Sequence, residues 1–115
     1  MLGTGRLEKV LRKFAGREVD FPGWQDPILF FETAGVVLST SKHESWGASM
    51  VEALLARVPV VACDVGIAKE AGAIVVEREK LSEAVKETLD KKVEGELKIK
   101  LLNKSEWAAA WKETL

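Results

Sequence analysis

The chain has 115 residues, 47% of them hydrophobic and 30% charged, a composition that excludes a disordered tract. Its 17 basic and 18 acidic side chains leave a net charge of −1, which excludes the broad positive field of a nucleic-acid or anionic-lipid binder. One cysteine, Cys63, cannot close an intrachain disulfide, and a single histidine excludes the common zinc ligand sets. The length suits one domain. The opening residues carry no apolar signal core, and runs such as Ile28 to Phe31 fall far short of the ~18–20 residues that span a bilayer. The expectation is a cytoplasmic globular protein with no transmembrane segment.

Leu7, Val10, Leu11 and Phe14 recur at helical spacing, which predicts a helix from Gly5 to Gly16. Glu18 to Phe21 reads as a short strand that stops at the turn pair Pro22-Gly23. Asp26 precedes Pro27 as a cap residue precedes a first-turn proline, and predicts a short helix from Ile28 to Ala34. Gly35 to Ser39 is an apolar run suited to a strand buried on both faces. The polar stretch Thr40 to Ser45 leads into a helix from Trp46 to Arg57, with Met50, Val51, Leu54, Leu55 and Val58 as its apolar stripe. Pro59 to Cys63 predicts a second buried strand, its proline at the first position. Asp64 to Glu70 reads as a loop, Ala73 to Val76 as a strand, and Glu79 to Lys92 as a helix with Leu81, Val85 and Leu89 in register. Two further helices are expected in the tail, with Ser105 as a cap and Trp107, Trp111 and Leu115 on one stripe.

Apolar strands alternating with helices imply an α/β fold, a parallel sheet with right-handed crossovers and helices on both faces. Ligands of such folds bind at the C-terminal ends of the strands. The loops expected there are Gly3-Thr-Gly5, Pro22 to Asp26, Thr40 to Ser45 and Asp64 to Glu70.

Gly3-Thr-Gly5 is not a dinucleotide fingerprint, because Glu8 stands at the third glycine position. It reads as a tight strand-to-helix turn. Ser45-Trp46-Gly47-Ala48-Ser49 opens a helix after a buried strand, either as an ordinary capped start or as an anion site built from free amides. Gly47 would let a phosphate approach the backbone. Glu44 and Glu52 flank that start with backbones about 10 Å apart at ~1.5 Å per helical residue. They could accept hydrogen bonds from ligand hydroxyls on either side, or Glu52 could be a solvated glutamate off the apolar stripe. His43 is read as incidental, Cys63 as a small core residue, and Trp107 and Trp111 as packing residues. Trp24 is either a stacking platform or a half-buried loop residue.

From Val36 to Ala62 the sequence resembles the nucleotide-sugar half of group 1 (family four) glycosyltransferases. Glu44 and Glu52 match the family's pair of glutamates separated by seven residues, and Trp46-Gly47 matches its aromatic-glycine pair. Val58-Pro-Val-Val-Ala62 matches its strand entry. Gly3-Thr-Gly5-Arg-Leu7 resembles its G-x-G turn, and Val19-Asp-Phe-Pro-Gly23 its V-x-F-x-G strand. Asp64-Val-Gly66 with Glu70 resembles its D-x-G-G-x-x-E loop, and Ser105-Glu-Trp107 its closing helix.

The resemblance implies a Rossmann-like half domain, the C-terminal domain of a two-domain GT-B fold shortened at its N-terminus. It implies retaining transfer from a UDP- or GDP-type sugar donor with no metal or other cofactor. Glu44 would be the catalytic residue, holding donor-sugar hydroxyls, and Glu52 would hold the ribose. The amides of Gly47 and Ala48 would hold the distal phosphate, beside Trp46 and Gly66. Pro22, Gly23 and Trp24 would line the base pocket, and Gly3 and Gly5 would face the donor. The family's diphosphate-clamping arginine and lysine, and its acceptor-binding N-terminal domain, are expected upstream of Met1, so the chain alone is expected to be inactive. Its partner would be that missing domain or another chain. Arg57 stands where the family's helix ends on glycine, and Ile67 where a second small residue is usual.

Another reading is a non-catalytic interaction module that keeps the fold and pairs an open strand edge with a partner. A phosphoacceptor receiver domain fits the size but lacks an acidic cluster after the first strand.

Overall fold

The computed structural model describes residues 5–114, in two compact units, Met1–Ala34 and Gly35–Leu115. The first unit holds α1 (Glu8–Phe14) and α2 (Ile28–Phe31). The predicted α1 stripe forms but stays open: Leu7, Val10, Leu11 and Phe14 are all exposed, and α1 buries no residue. Its outer face carries an Arg12–Glu8 pair four residues apart. Glu18 to Phe21 is not a strand. Val19 donates to the Gly16 carbonyl at 3.2 Å in a turn, and the Arg12 guanidinium sits 4.6 Å from the Phe21 ring centre. An alternating Val19/Phe21 pattern makes a strand only where a neighbour pairs with it. The Asp26 carboxylate accepts from the Ile28 amide at 3.1 Å, the role read from Asp26-Pro27, although α2 stops after one turn.

The second unit is built on three parallel strands in the order β1-β2-β3: β1 (Val37–Leu38), β2 (Val60–Ala62) and β3 (Ile74–Val75). Between them run α3 (Ala48–Leu55) and α4 (Ala68–Ala71). A 3₁₀ turn (Arg78–Lys80) then leads into α5 (Leu81–Asp90), and α6 (Lys104–Glu113) closes the chain. Successive strand residues face opposite sides. Val61 meets Leu81 and Ala84 of α5 on one face, with Val36, Cys63, Ile74, Val76 and Val85 around them. Val60 and Ala62 point to the other face, where α3 packs on β2 and α4 on β3. The result is an α/β unit with helices on both sides, the Rossmann-like half domain expected. Met50, Leu54, Val60 and Val61 are the largest fully buried side chains, each contributing roughly 1.5–3 kcal/mol of transfer free energy.

Three expectations need correction here. Leu55 and Leu89 lie on the open side of their helices, while Ala53 takes the buried place in α3. The loop from Asp64 to Glu70 contains the one-turn helix α4. The tail has one helix among its described residues, capped by Asn103 and not Ser105: Asn103 accepts from the Glu106 amide at 2.9 Å while Glu106 accepts from the Asn103 amide. The preceding stretch runs as a strap under the sheet. Gly95 donates to the Arg57 carbonyl and Lys98 to the Ala71 carbonyl, both at 2.9 Å. A side chain on Gly95 would strike the Val58 carbonyl, which explains the glycine. Leu115 lies outside the described residues. No described helix is long and apolar enough to cross a membrane.

Candidate functional site

Because the strands are parallel, the residues that follow β1, β2 and β3 emerge at one edge. Ser39 donates to the Val61 carbonyl at 2.9 Å, one residue past β1, so the loop carrying Glu44 leaves from a paired strand end.

That loop ends on Gly47, which starts α3 with φ +108°. A β-carbon there would lie 2.3 Å from the buried Met50 methyl. The left-handed backbone calls for glycine here, since the methyl is the far end of a flexible side chain that can shift. The Gly47 carbonyl accepts from Met50 at 3.0 Å and Val51 at 3.3 Å, as a helix start requires. No side chain caps α3, and among the described residues the amides of exposed Ala48 and Ser49 have no acceptor. Unpaired amides at the positive end of the helix dipole favour an anion.

Glu44 stands half-buried at the approach to these amides, and the Ser41 hydroxyl donates to its Oε1 at 3.0 Å. Among the described residues its other carboxylate oxygen accepts nothing. The loop after β2 closes against it. Gly66 has φ +50°, and a β-carbon there would lie 2.3 Å from the Trp46 carbonyl oxygen and 3.0 Å from the Glu44 β-carbon. The next amide, Ile67, donates to that carbonyl at 2.7 Å. The non-small Ile67 is thus accommodated, because its backbone makes the contact while its side chain is half-buried ahead of α4. Glu52 lies on the exposed side of α3, in its second turn.

The second unit therefore brings Glu44, Trp46, Gly47, Ala48 and Gly66 to one edge, while Glu52 stands exposed a turn further along α3, with no side-chain contact among the described residues that ties it to them. Gly5, Pro22, Gly23 and Trp24 belong to the first unit. Trp24 is 81% exposed, which removes the half-buried alternative for it. Among the described residues nothing lies within 4 Å of a β-carbon built on Gly5, whose carbonyl accepts from the Glu8 amide at 3.1 Å, and the rest of the turn expected there lies outside them. Gly3 lies outside the described residues. His43 is exposed, and Cys63 packs against the Val61 cluster as the core residue it was read to be. Trp107 and Trp111, read as packing residues, instead stack on each other at 5.8 Å on an exposed helix. Sequence reasoning missed Ser41 and Arg78, whose Nη2 donates to the Thr40 carbonyl at 3.0 Å. A serine three residues before Glu44 was a readable signal. Nothing local pairs Arg78 with Thr40.

No curated protein matches the chain at a significant level. The profile of the family described as glycosyl transferases group 1 matches residues 1–91, which spans β1 to β3, both glutamates and the Gly66 loop. By that match over most of its length, carried on a parallel α/β unit, the chain belongs to the group 1 glycosyltransferases.

Proposed function

We propose that this chain binds the donor of a retaining glycosyl transfer, a UDP- or GDP-linked sugar, at the C-terminal edge of its sheet. The observation that carries the reading is the closure of the Gly66 loop on Trp46 and Glu44, the residues that lead into the unpaired amides of α3. In this reading the Ala48 and Ser49 amides, with that of Gly47, hold the distal phosphate. They offset the charge that grows on the diphosphate as its bond to the sugar breaks, and no metal is needed. Glu44 accepts from sugar hydroxyls with its unengaged oxygen, and Glu52 accepts from the ribose. Transfer also needs an acceptor, and in this reading the 115 residues alone bind donor without turning it over.

Titration with UDP, GDP, UDP-glucose and GDP-mannose tests this. One base is expected to bind in the millimolar range. Glu52→Ala should weaken the nucleotide and the sugar nucleotide alike, by tenfold or about that, the loss of a charge-assisted hydrogen bond. Glu44→Gln should weaken only the sugar nucleotide. Absence of a saturable response to all four would sink the reading.

A second reading, an interaction module, is favoured by the exposed apolar stripe of α1 and the open tryptophans of α6. It requires self-association or a partner, and a strictly monomeric chain at high concentration in sedimentation counts against the first of these.

A further inference from the structure

We infer that Arg78 is a positioning residue for the loop that carries Glu44; the inference rests on the donor-site reading above. Residues 40–46 leave β1 at Leu38 and reach α3 at Ala48. Beyond the ladder bond of Ser39, two hydrogen bonds among the described residues tie this stretch to other parts of the unit. Ile67 holds the Trp46 carbonyl at one end, and Arg78 Nη2 holds the Thr40 carbonyl at the other. Between them the only bond among the described residues is internal, from Ser41 to Glu44.

Arg78 is suited to the task by where its backbone sits. It opens the 3₁₀ turn directly before α5, and α5 is anchored by buried Leu81 and Ala84 against Val61. Its side chain therefore starts from a fixed point beyond β3 and reaches the loop beyond β1. In doing so it borders a hollow lined also by Cys63 and Asp64 at the end of β2. A guanidinium presents several donors on a planar, pre-organised fork, so it loses less freedom in holding one carbonyl than a lysine would. Fixing Thr40 fixes where the Ser41–Glu44 pair begins. Loss of the bond should leave the fold intact, because Arg78 is exposed, and should loosen the loop.

Backbone ¹⁵N relaxation on the ligand-free chain, compared with Arg78→Ala and Arg78→Lys, tests the loop directly. In Arg78→Ala the order parameters of residues 41–45 should drop from near ~0.85 toward ~0.6, with residues 60–62 unchanged and Arg78→Lys intermediate. Unchanged order parameters at 41–45 overturn the inference. A second measurement reads the route to the ligand through a double-mutant cycle with UDP-glucose or GDP-mannose, whichever binds. Arg78→Ala should weaken the sugar nucleotide about fivefold in the wild-type background and have no further effect in Glu44→Gln. An undiminished effect in Glu44→Gln overturns positioning through Glu44. If the wild type binds no probe, the donor reading fails and the relaxation result alone decides whether Arg78 orders the loop.

Discussion

The Ile67 amide donates to the Trp46 carbonyl at 2.7 Å, and the residue before it, Gly66, lies too close to the same carbonyl to carry a side chain. The loop after β2 and the loop after β1 thus meet backbone to backbone. This contact joins two halves of the candidate site that are twenty residues or so apart in the chain. Gly66→Ala meets both a left-handed φ and a backbone oxygen that cannot move without shifting Trp46. It should destabilise the unit by about 2–3 kcal/mol and abolish donor binding. Gly16→Ala, where a β-carbon meets nothing nearer than the Glu18 carboxylate at 3.9 Å and φ is not left-handed, should stay within ~0.5 kcal/mol of wild type. Urea midpoints of the two variants check the contrast.

Two helices end in the same way without the residue that usually permits it. At the end of α3, Val58 donates to the Ala53 carbonyl and Arg57 to the Leu54 carbonyl, both at 2.9 Å, with Arg57 at φ +65°. At the end of α5, Val93 donates to Thr88 and Lys92 to Leu89, both at 3.2 Å, with Lys92 at φ +50°. Each is a left-handed helix stop of the kind that favours glycine. The departure read at Arg57 is therefore built by strain, not by a different turn. Lys92→Gly should stabilise the protein by about 1 kcal/mol. Arg57→Gly should gain less, because it also removes an exposed ion pair to Glu94, a contact of small value. Arg57→Ala keeps the strain and loses the pair, so it should move the other way. Thermal unfolding of the three variants orders them.

What the sequence revealed followed from how local the cause was. β2 was legible because a parallel strand buried on both faces is a bare apolar run, and Val60, Val61 and Ala62 are fully buried. β1, read the same way, forms with Leu38 46% exposed, and β3 is half-buried, so their apolar runs marked strands without marking two buried faces. Residues 18–21 carry a strand-like pattern, yet the turn at Gly16 and Arg12 beside Phe21 claim that stretch. In the site, Gly47 and Gly66 were legible as glycines near a helix start, while their causes were not. One starts α3 from a left-handed backbone and the other faces Trp46 across the strand edge. The Arg78–Thr40 bond spans 38 residues and leaves no periodic trace.

Asn103 makes α6 a direct test of capping, since its side chain and that of Glu106 satisfy each other's end of the first turn. α6 buries none of its residues, so its order depends on that cap and on the Trp107–Trp111 stack more than on the sheet. Asn103→Ala should cost the helix about 1 kcal/mol. Near-ultraviolet circular dichroism from the tryptophan pair should fall, while the urea midpoint of the sheet unit stays in place. A joint fall of both signals would show that α6 and the sheet unfold as one.

On α5, Glu87 and Lys91 pair four residues apart on the exposed face. Hydrogen bonding to Lys91 first, and its charge second, hold the Glu87 carboxyl below its ordinary value of 4.5 and hold Lys91 above its ordinary 10.5. A depressed carboxylate contributes stability that is present above its unfolded pKa and is lost as pH falls through the folded one. A raised ammonium contributes stability that is lost as pH climbs through its folded pKa. Glu87→Gln should therefore be less stable than wild type at neutral pH, with the gap closing as pH drops below 4.5 and again above 10.5. Because both groups face water, molar salt should shrink the neutral-pH gap as well. Urea midpoints of wild type and Glu87→Gln across pH, at low and high salt, read all three effects. A gap that persists in acid would assign the role of Glu87 to helix propensity and not to its charge.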